Sequence, residues 1–293
     1  MENKHAFLII YHNEFEVTKL LIEALDDRRN DIFIHVDKKV LEIPKWNTKF
    51  ANLYILNDRI DVRWGDFSVV QAELNLFKES SNIRKYQYYH LLSGVDFCIK
   101  SQNFIHNFFK KHDGKEFIGF STYEYNTELE SKVKRYHIFP KYFRSTNNIF
   151  SITIRLLRFL FMRIQKLLNI RRNININFKK GTQWVSVTNN FVEYILSEEN
   201  NLYKIYKNTF CPDEIYKQTL CWNSPFRHNA YSMENENVGC MRMIVWKNRQ
   251  IVEWSDSQYE ELVNSEMIFA RKFSKKNMKL ITEIKNSFNY DAQ

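Results

Sequence analysis

The sequence predicts an α/β fold with a mostly parallel central sheet flanked by helices, and three segments near its start carry that prediction. Ala6 to Tyr11 is an unbroken apolar run of strand length, Val17 to Leu25 has helical spacing, and Asp31 to Asp37 is a second apolar run. Strands buried on both faces lose the polar alternation of a half-exposed strand. Two such runs joined by a helix therefore mark a parallel pair with a crossover, the start of a nucleotide-binding domain. In sheets of this kind ligands bind beyond the carboxyl ends of the strands, where Tyr11, His12 and Asp37 stand. His35 and Asp37 are two apart on an extended chain and point the same way. Asp37 also reads as a turn residue before Lys38-Lys39.

The later elements follow in order. Leu53 to Leu56 is a third strand, and Ser68 to Ser80 a helix capped by Ser68 with Val69, Ala72, Leu76 and Phe77 on its apolar face. Tyr88 to Leu92 is another buried strand, stopped by Ser93-Gly94, and Ser101 caps a short helix over Ile105 to Phe109. Glu116 to Ser121 and Gln183 to Thr188 read as strands, the second followed by a helix from Phe191 to Ser197. Met241 to Trp246 reads as a late strand and Asp256 to Asn264 as a helix. The stretch Phe269 to Phe273 reads as a basic turn before a charged terminal helix. With 6 Gly and 4 Pro, and neither repeats nor a low-complexity linker, the expectation is a single domain over 1–293.

The net charge of +9 suits nucleic acid, an anionic membrane surface or a phosphorylated substrate. No zinc-finger spacing, RNP-like aromatic block or basic zipper accompanies it, so nucleic acid is not expected as a partner. Met1 to His5 is polar, and Ala6 to Ile10 is too short for a signal or anchor, which makes a cytoplasmic location the expectation. Cys98, Cys211, Cys221 and Cys240 show neither a CxxC pair nor metal-ligand spacing and read as reduced thiols. Cys98, between Phe97 and Ile99, reads as a core residue.

Residues 148–172 stand apart as a basic amphipathic insertion. From Asn148 to Ile170 the chain is apolar with interspersed Arg155, Arg158, Arg163 and Lys166. At the helical period these four share one face, with Leu157, Leu160, Ile164, Leu167 and Leu168 opposite. The charges exclude a spanning helix. Two readings stand: a surface helix whose apolar face packs on the domain, or a peripheral contact with the anionic inner face of a membrane.

Cys211-Pro212-Asp213-Glu214, followed by the helix-compatible run Ile215 to Leu220, puts two carboxylates at a helix start. This is ordinary capping, or it is a general base held at a pocket edge to take a proton from a sugar hydroxyl.

Several blocks, read in order, resemble the core-2/I-branching β-1,6-N-acetylglucosaminyltransferase family, which includes the peptide O-xylosyltransferases. They are Ile34-His35-Val36-Asp37-Lys38-Lys39, the stretch Trp64 to Ala72, Leu91 to Ser101, and Lys180-Gly181-Thr182-Gln183-Trp184. Pro212-Asp213-Glu214 and Phe269-Ala270-Arg271-Lys272-Phe273 complete the set. The resemblance implies a GT-A-like fold, a UDP-sugar donor, a glycan or lipid-linked glycan acceptor, and inversion to a β linkage. It also implies catalysis without a metal cofactor, and no Asp-x-Asp occurs in this chain. Fixed cations then neutralise the leaving diphosphate. Lys272 matches one of them, and Arg249 stands where the family places the other, with Arg242 or Lys247 as alternatives. Glu214 matches the family's base, and Asp213 orients its turn. Tyr11, His12, Asp37 and Trp64 correspond to the nucleotide site. Ser93, Gly94 and Asp96 correspond to the donor cleft, and Gly181 and Trp184 to the acceptor side.

A signal anchor, a stem and the disulfide cysteines of animal members are not expected here, so the expectation is a bacterial-type enzyme of surface polysaccharide assembly. The expected activity is N-acetylglucosamine transfer. The alternatives are xylosyl transfer from UDP-xylose, or a non-catalytic glycan-binding protein of the same fold. Because Glu214 and Lys272 are both present, the last is disfavoured.

Overall fold

The computed structural model describes residues 4–121, 126–144, 149–248 and 250–288. Its central sheet is built from β1 (His5–Tyr11), β2 (Asn30–Val36), β3 (Asn52–Ile55), β4 (Tyr88–Ser93) and β6 (Ser186–Thr188). Their order is β3-β2-β1-β4-β6, parallel except for β6, which runs antiparallel to β4. The mixed α/β expectation, with a mostly parallel sheet between helices, holds.

Strand geometry explains why β1 is apolar throughout. Phe7, Ile9 and Tyr11 face a cluster containing Val17 and Leu21 of α1 (Phe15–Ala24) and Leu280, Ile281 and Ile284 of α11 (Met278–Ser287). Ala6, Leu8 and Ile10 face the other side, onto Val70, Leu74 and Phe77 of α2 (Ser68–Ile83). Both faces of the strand are thus buried.

A second sheet has the order β5-β10-β7, from β5 (Asp96–Cys98), β10 (Phe269–Arg271) and β7 (Arg242–Ile244). Its register sets Arg271 opposite Asp96 and Phe269 opposite Cys98. The C-terminal part of the chain therefore reaches the carboxyl end of β4. A hairpin of β8 (Trp246–Lys247) and β9 (Gln250–Ile251) lies between.

Several elements differ from expectation. Phe67, not Ser68, occupies the cap position of α2, while the Ser68 hydroxyl accepts from the Arg63 amide at 2.9 Å. Glu116 to Ser121 makes isolated bridges at Glu116 and Phe117 in place of a strand. Its continuation runs against another loop: the Ser121 amide donates to the Lys180 carbonyl, and a Cβ on Gly181 would stand 1.8 Å from the Gly119 oxygen. The expected turn at Phe269 is strand β10, because its partners lie far away in sequence. The remaining helices are α3 (Gln102–Lys111), capped by Ser101 as expected, α4 (Asn126–Val133), α5 (Ile149–Leu167), α6 (Asn189–Ser197) and α7 (Glu199–Tyr206). After these come α8 (Tyr216–Trp222), α9 (Glu236–Cys240) and α10 (Tyr259–Val263).

Helix α5 overturns one reading of the insertion and corrects another. Its inward face is Ser151, Ile154, Arg158 and Gln165, and its Leu side chains with Ile149, Ile152 and Ile164 face solvent. Gln165 clamps the helix, accepting from the Tyr136 amide at 2.8 Å and donating to the Tyr136 carbonyl at 2.9 Å. Arg158 leaves the expected basic face. Its guanidinium lies 4.6 Å from the Phe143 ring centre and 5.9 Å from that of Phe210. Aromatic stacking accommodates a planar cation whose charge is half-buried.

Candidate functional site

The carboxyl ends of β1, β2 and β4 are level, with Tyr11 beside Val36 and Ile10 beside Ser93. His12 and Asp37 emerge there. His12 is accessible yet set among protein atoms, and desolvation lowers its pKa below the ordinary value; Arg271, Lys39 and Lys272 act in the same direction and Asp37 opposes them. Tyr11 is buried, packing edge-on against Trp46 with ring centres 4.9 Å apart. Asp37 serves its turn, accepting from the Lys39 amide at 2.9 Å and from Lys39 Nζ at 2.7 Å.

Beside these ends Arg271 forms a hub. It donates to Asp96 at 2.6 Å and also to Ser93, while Asp96 accepts from the Ser93 amide at 2.8 Å. Gly94 leaves no room for a side chain, since a Cβ there would stand 2.6 Å from Thr18 Oγ1. The Arg271 guanidinium lies 4.6 Å from the ring centre of Trp184, which is buried as its platform. Lys272 is more open, 3.5 Å from Glu253.

The acidic turn lies close by. Pro212–Glu214 is a single 3-10 turn, and Ile215 separates it from α8. Both carboxylates therefore sit before the helix, a departure from the continuous helix the sequence suggested. Cys211 takes a left-handed conformation at φ 50°, and its amide donates to the Gly65 carbonyl at 3.0 Å. Phe210 packs edge-on against Trp64, ring centres 5.4 Å apart, and Trp64 is partly exposed. The Gly181 amide donates to the Glu214 carbonyl at 2.9 Å. Loop 180–184 thus joins the acidic turn to the Arg271 hub.

Glu214 is partly exposed, with Lys180 Nζ at 3.5 Å and Lys132 Nζ at 3.9 Å. Glu128 contacts the same two lysines. Asp213 is different. Burial, then the charges of Glu214 and Glu73, raise its pKa from 3.8 to about 7, against the pull of Lys217. Beneath the turn Glu73 and Lys217 form a buried ion pair. Glu73 also accepts from the Tyr216 hydroxyl at 2.6 Å and from Gln183 Nε2 at 2.8 Å.

Among the proposed diphosphate cations, Arg249 lies outside the described residues. Arg242 is excluded: it is buried and donates to the Val185 carbonyl at 2.7 Å and to Ser186 Oγ at 3.1 Å. Lys247 is exposed on the hairpin. Among the described residues no group of three His, Cys, Asp or Glu side chains could hold a metal ion.

A family model described as "Core-2/I-Branching enzyme" matches residues 5–281. The chain belongs to the Core-2/I-Branching enzyme family. The resemblance read from the sequence blocks thus holds over nearly the whole chain. Similar relatives include a xylosyltransferase (sqv-6) of Caenorhabditis elegans, 24% identical in an alignment of 274 positions that covers 82% of this chain and 31% of the relative. Another is a mouse N-acetyllactosaminide β-1,6-N-acetylglucosaminyl-transferase, 22% identical over 95% of this chain and 70% of the relative. A third is a human β-1,3-galactosyl-O-glycosyl-glycoprotein β-1,6-N-acetylglucosaminyltransferase 3, 22% identical over 84% of this chain and 54% of the relative. The chain spans about a third of the length of the worm xylosyltransferase it matches.

Within this family member, sequence reasoning missed Arg271 as a site residue, along with Lys132, Lys180, Glu128 and Glu236. Glu236 is a second carboxylate near the turn: burial raises its pKa, Glu214 adds to the rise and Lys180 opposes it.

A pH test follows from Asp213. A carboxyl with a raised folded-state pKa favours the fold while protonated, and this contribution is lost as pH rises from about 4 through about 7. Replacing Asp213 with Asn is therefore expected to gain stability relative to the wild type over that window. Thermal melts of both proteins at pH 5 and pH 8 check it, and an unchanged difference between them counts against the buried, protonated carboxyl.

Proposed function

We propose that this chain is a glycosyltransferase moving a sugar, N-acetylglucosamine in the first reading, from a UDP-sugar to a glycan hydroxyl in surface polysaccharide assembly. The observation that carries the proposal is the family match together with Glu214, an accessible carboxylate tied through loop 180–184 to the strand ends. Glu214 takes the proton of the acceptor hydroxyl as its oxygen attacks the anomeric carbon. The bond to the diphosphate breaks on the opposite side, and the UDP oxygen leaves with the electron pair. This in-line displacement inverts the centre to a β linkage.

The departing diphosphate needs positive charge. Lys272, with Arg271 behind it and Arg249 upstream, supplies that charge in this reading. Arg271 is already engaged by Asp96 and Ser93, so it orients the cleft, and Lys272 is the more accessible cation. The nucleotide is assigned to the end formed by His12, Asp37 and Trp64. Xylosyl transfer is the second reading, favoured by the similarity to the worm xylosyltransferase.

Turnover without an added metal is the expected result. Purified protein stripped with EDTA and supplied with UDP-N-acetylglucosamine or UDP-xylose should release UDP at the same rate as untreated protein. A loss of activity restored by manganese or magnesium would overturn the metal-free part of the proposal while leaving sugar transfer standing.

A further inference from the structure

We propose that the outward face of α5 docks on an anionic lipid surface, with its apolar stripe inserted and a basic flank at headgroup level. Ile149, Leu156, Leu160, Ile164 and Leu167 recur along one side of the helix, and each is about half exposed or more, from 46% for Leu160 to 85% for Leu167. Ile152 and Leu157 widen the stripe. A contiguous apolar row of this extent on a soluble surface marks an interaction site, whereas single exposed apolar residues do not. At 1.5 Å per residue the helix is roughly 28 Å long, so the row is a surface and not a point contact.

Charge decides what covers it. The 19 residues of α5 include neither Asp nor Glu, and Arg155, Arg163 and Lys166 are exposed along one flank of the stripe. A second copy of the chain would bring a basic flank of its own to the interface, while an anionic bilayer complements both the stripe and the charges. No described helix is long and apolar enough to cross a membrane, so the contact is interfacial.

The inward face shows what the docking positions. Gln165 fixes α5 to residue 136, and Arg158 stacks on Phe143 and Phe210. Phe210 immediately precedes the Cys211 to Glu214 turn. A cavity of about 510 Å³ under the helix is lined by Phe143, Arg158, Phe159, Met162 and Phe210 among others. Docking through α5 therefore holds the acidic turn near the lipid surface. The docking itself does not depend on the proposed sugar transfer, because its readout is vesicle binding.

The full chain is mixed with vesicles of phosphatidylcholine alone or with 30 mol% phosphatidylglycerol (about a third anionic lipid) and sedimented. The wild type should pellet with the anionic vesicles and not with the neutral ones. Replacing Leu156, Leu160 and Ile164 with Gln alters exposed side chains, so the fold should be kept. This variant should lose pelleting while still hydrolysing donor in solution. Replacing Arg155, Arg163 and Lys166 with Gln should lower anionic partitioning roughly 100-fold, since each basic residue near the surface adds about fivefold. Equal binding by wild type and both variants would overturn the proposal. So would a failure of the wild type to bind anionic vesicles at low salt, or a concentration-dependent dimer abolished by the apolar variant.

Discussion

Replacing Glu214 with Gln is expected to lower transfer turnover by about 10²–10⁴ while leaving UDP affinity unchanged. Gln keeps the shape of the side chain but cannot accept the acceptor's proton. The other carboxylates nearby are poorly placed to substitute. Asp96 is held by Arg271 and the Ser93 amide. Asp213 is buried, and its charge is disfavoured by that burial and by Glu214 and Glu73. Burial also raises the pKa of Glu236. Glu214 is partly exposed beside two lysines, where a hydroxyl can approach. Steady-state UDP release and calorimetric UDP binding separate rate from affinity. Near-normal turnover in the variant would move the base to one of those other carboxylates. Weakened UDP binding at unchanged turnover would make Glu214 a donor-site residue.

What the sequence disclosed and what it withheld divide along physical lines. The runs that became β1, β2 and β4 were legible because strands buried on both faces must be apolar throughout. The acidic turn was legible because proline and adjacent carboxylates restrict the local backbone, although its 3-10 turn and the break at Ile215 were not. Arg271 was not legible as a hub, since its partner Asp96 lies 175 residues away and meets it through the β10–β5 register. Lys132 and Lys180 come to Glu214 from α4 and from loop 180–184, so local spacing could not signal them. For α5 the period showed two faces without saying which one the body would cover. The body covers a third face, Ser151, Ile154, Arg158 and Gln165, with Arg158 over aromatic rings, and leaves the apolar stripe and the other three cations exposed.

Replacing Lys217 with Met is expected to destabilise the fold by about 3–5 kcal/mol, the usual effect of leaving one charge of a buried pair without its partner. Glu73 and Lys217 have no exposed side-chain surface. Burial lowers the Lys217 pKa, and Glu73 offsets that shift. Without the ammonium, Glu73 would keep the Tyr216 hydroxyl and Gln183 but no countercharge. At roughly 2–4 °C per kcal/mol for a domain of this order of size, the midpoint should drop by about 10 °C. Exchanging Glu73 for Gln as well should recover much of the loss, since the pair couples and its charges leave together. The site should respond too. Lys217 Nζ donates to the Asp213 carbonyl at 3.3 Å, one residue before Glu214, so the single variant should also lose turnover below its melting point. Thermal unfolding of the wild type, both single variants and the double variant resolves the coupling. A single-variant loss below about 1 kcal/mol would show that Tyr216 and Gln183 suffice to hold Glu73, and that the turn does not depend on the ammonium.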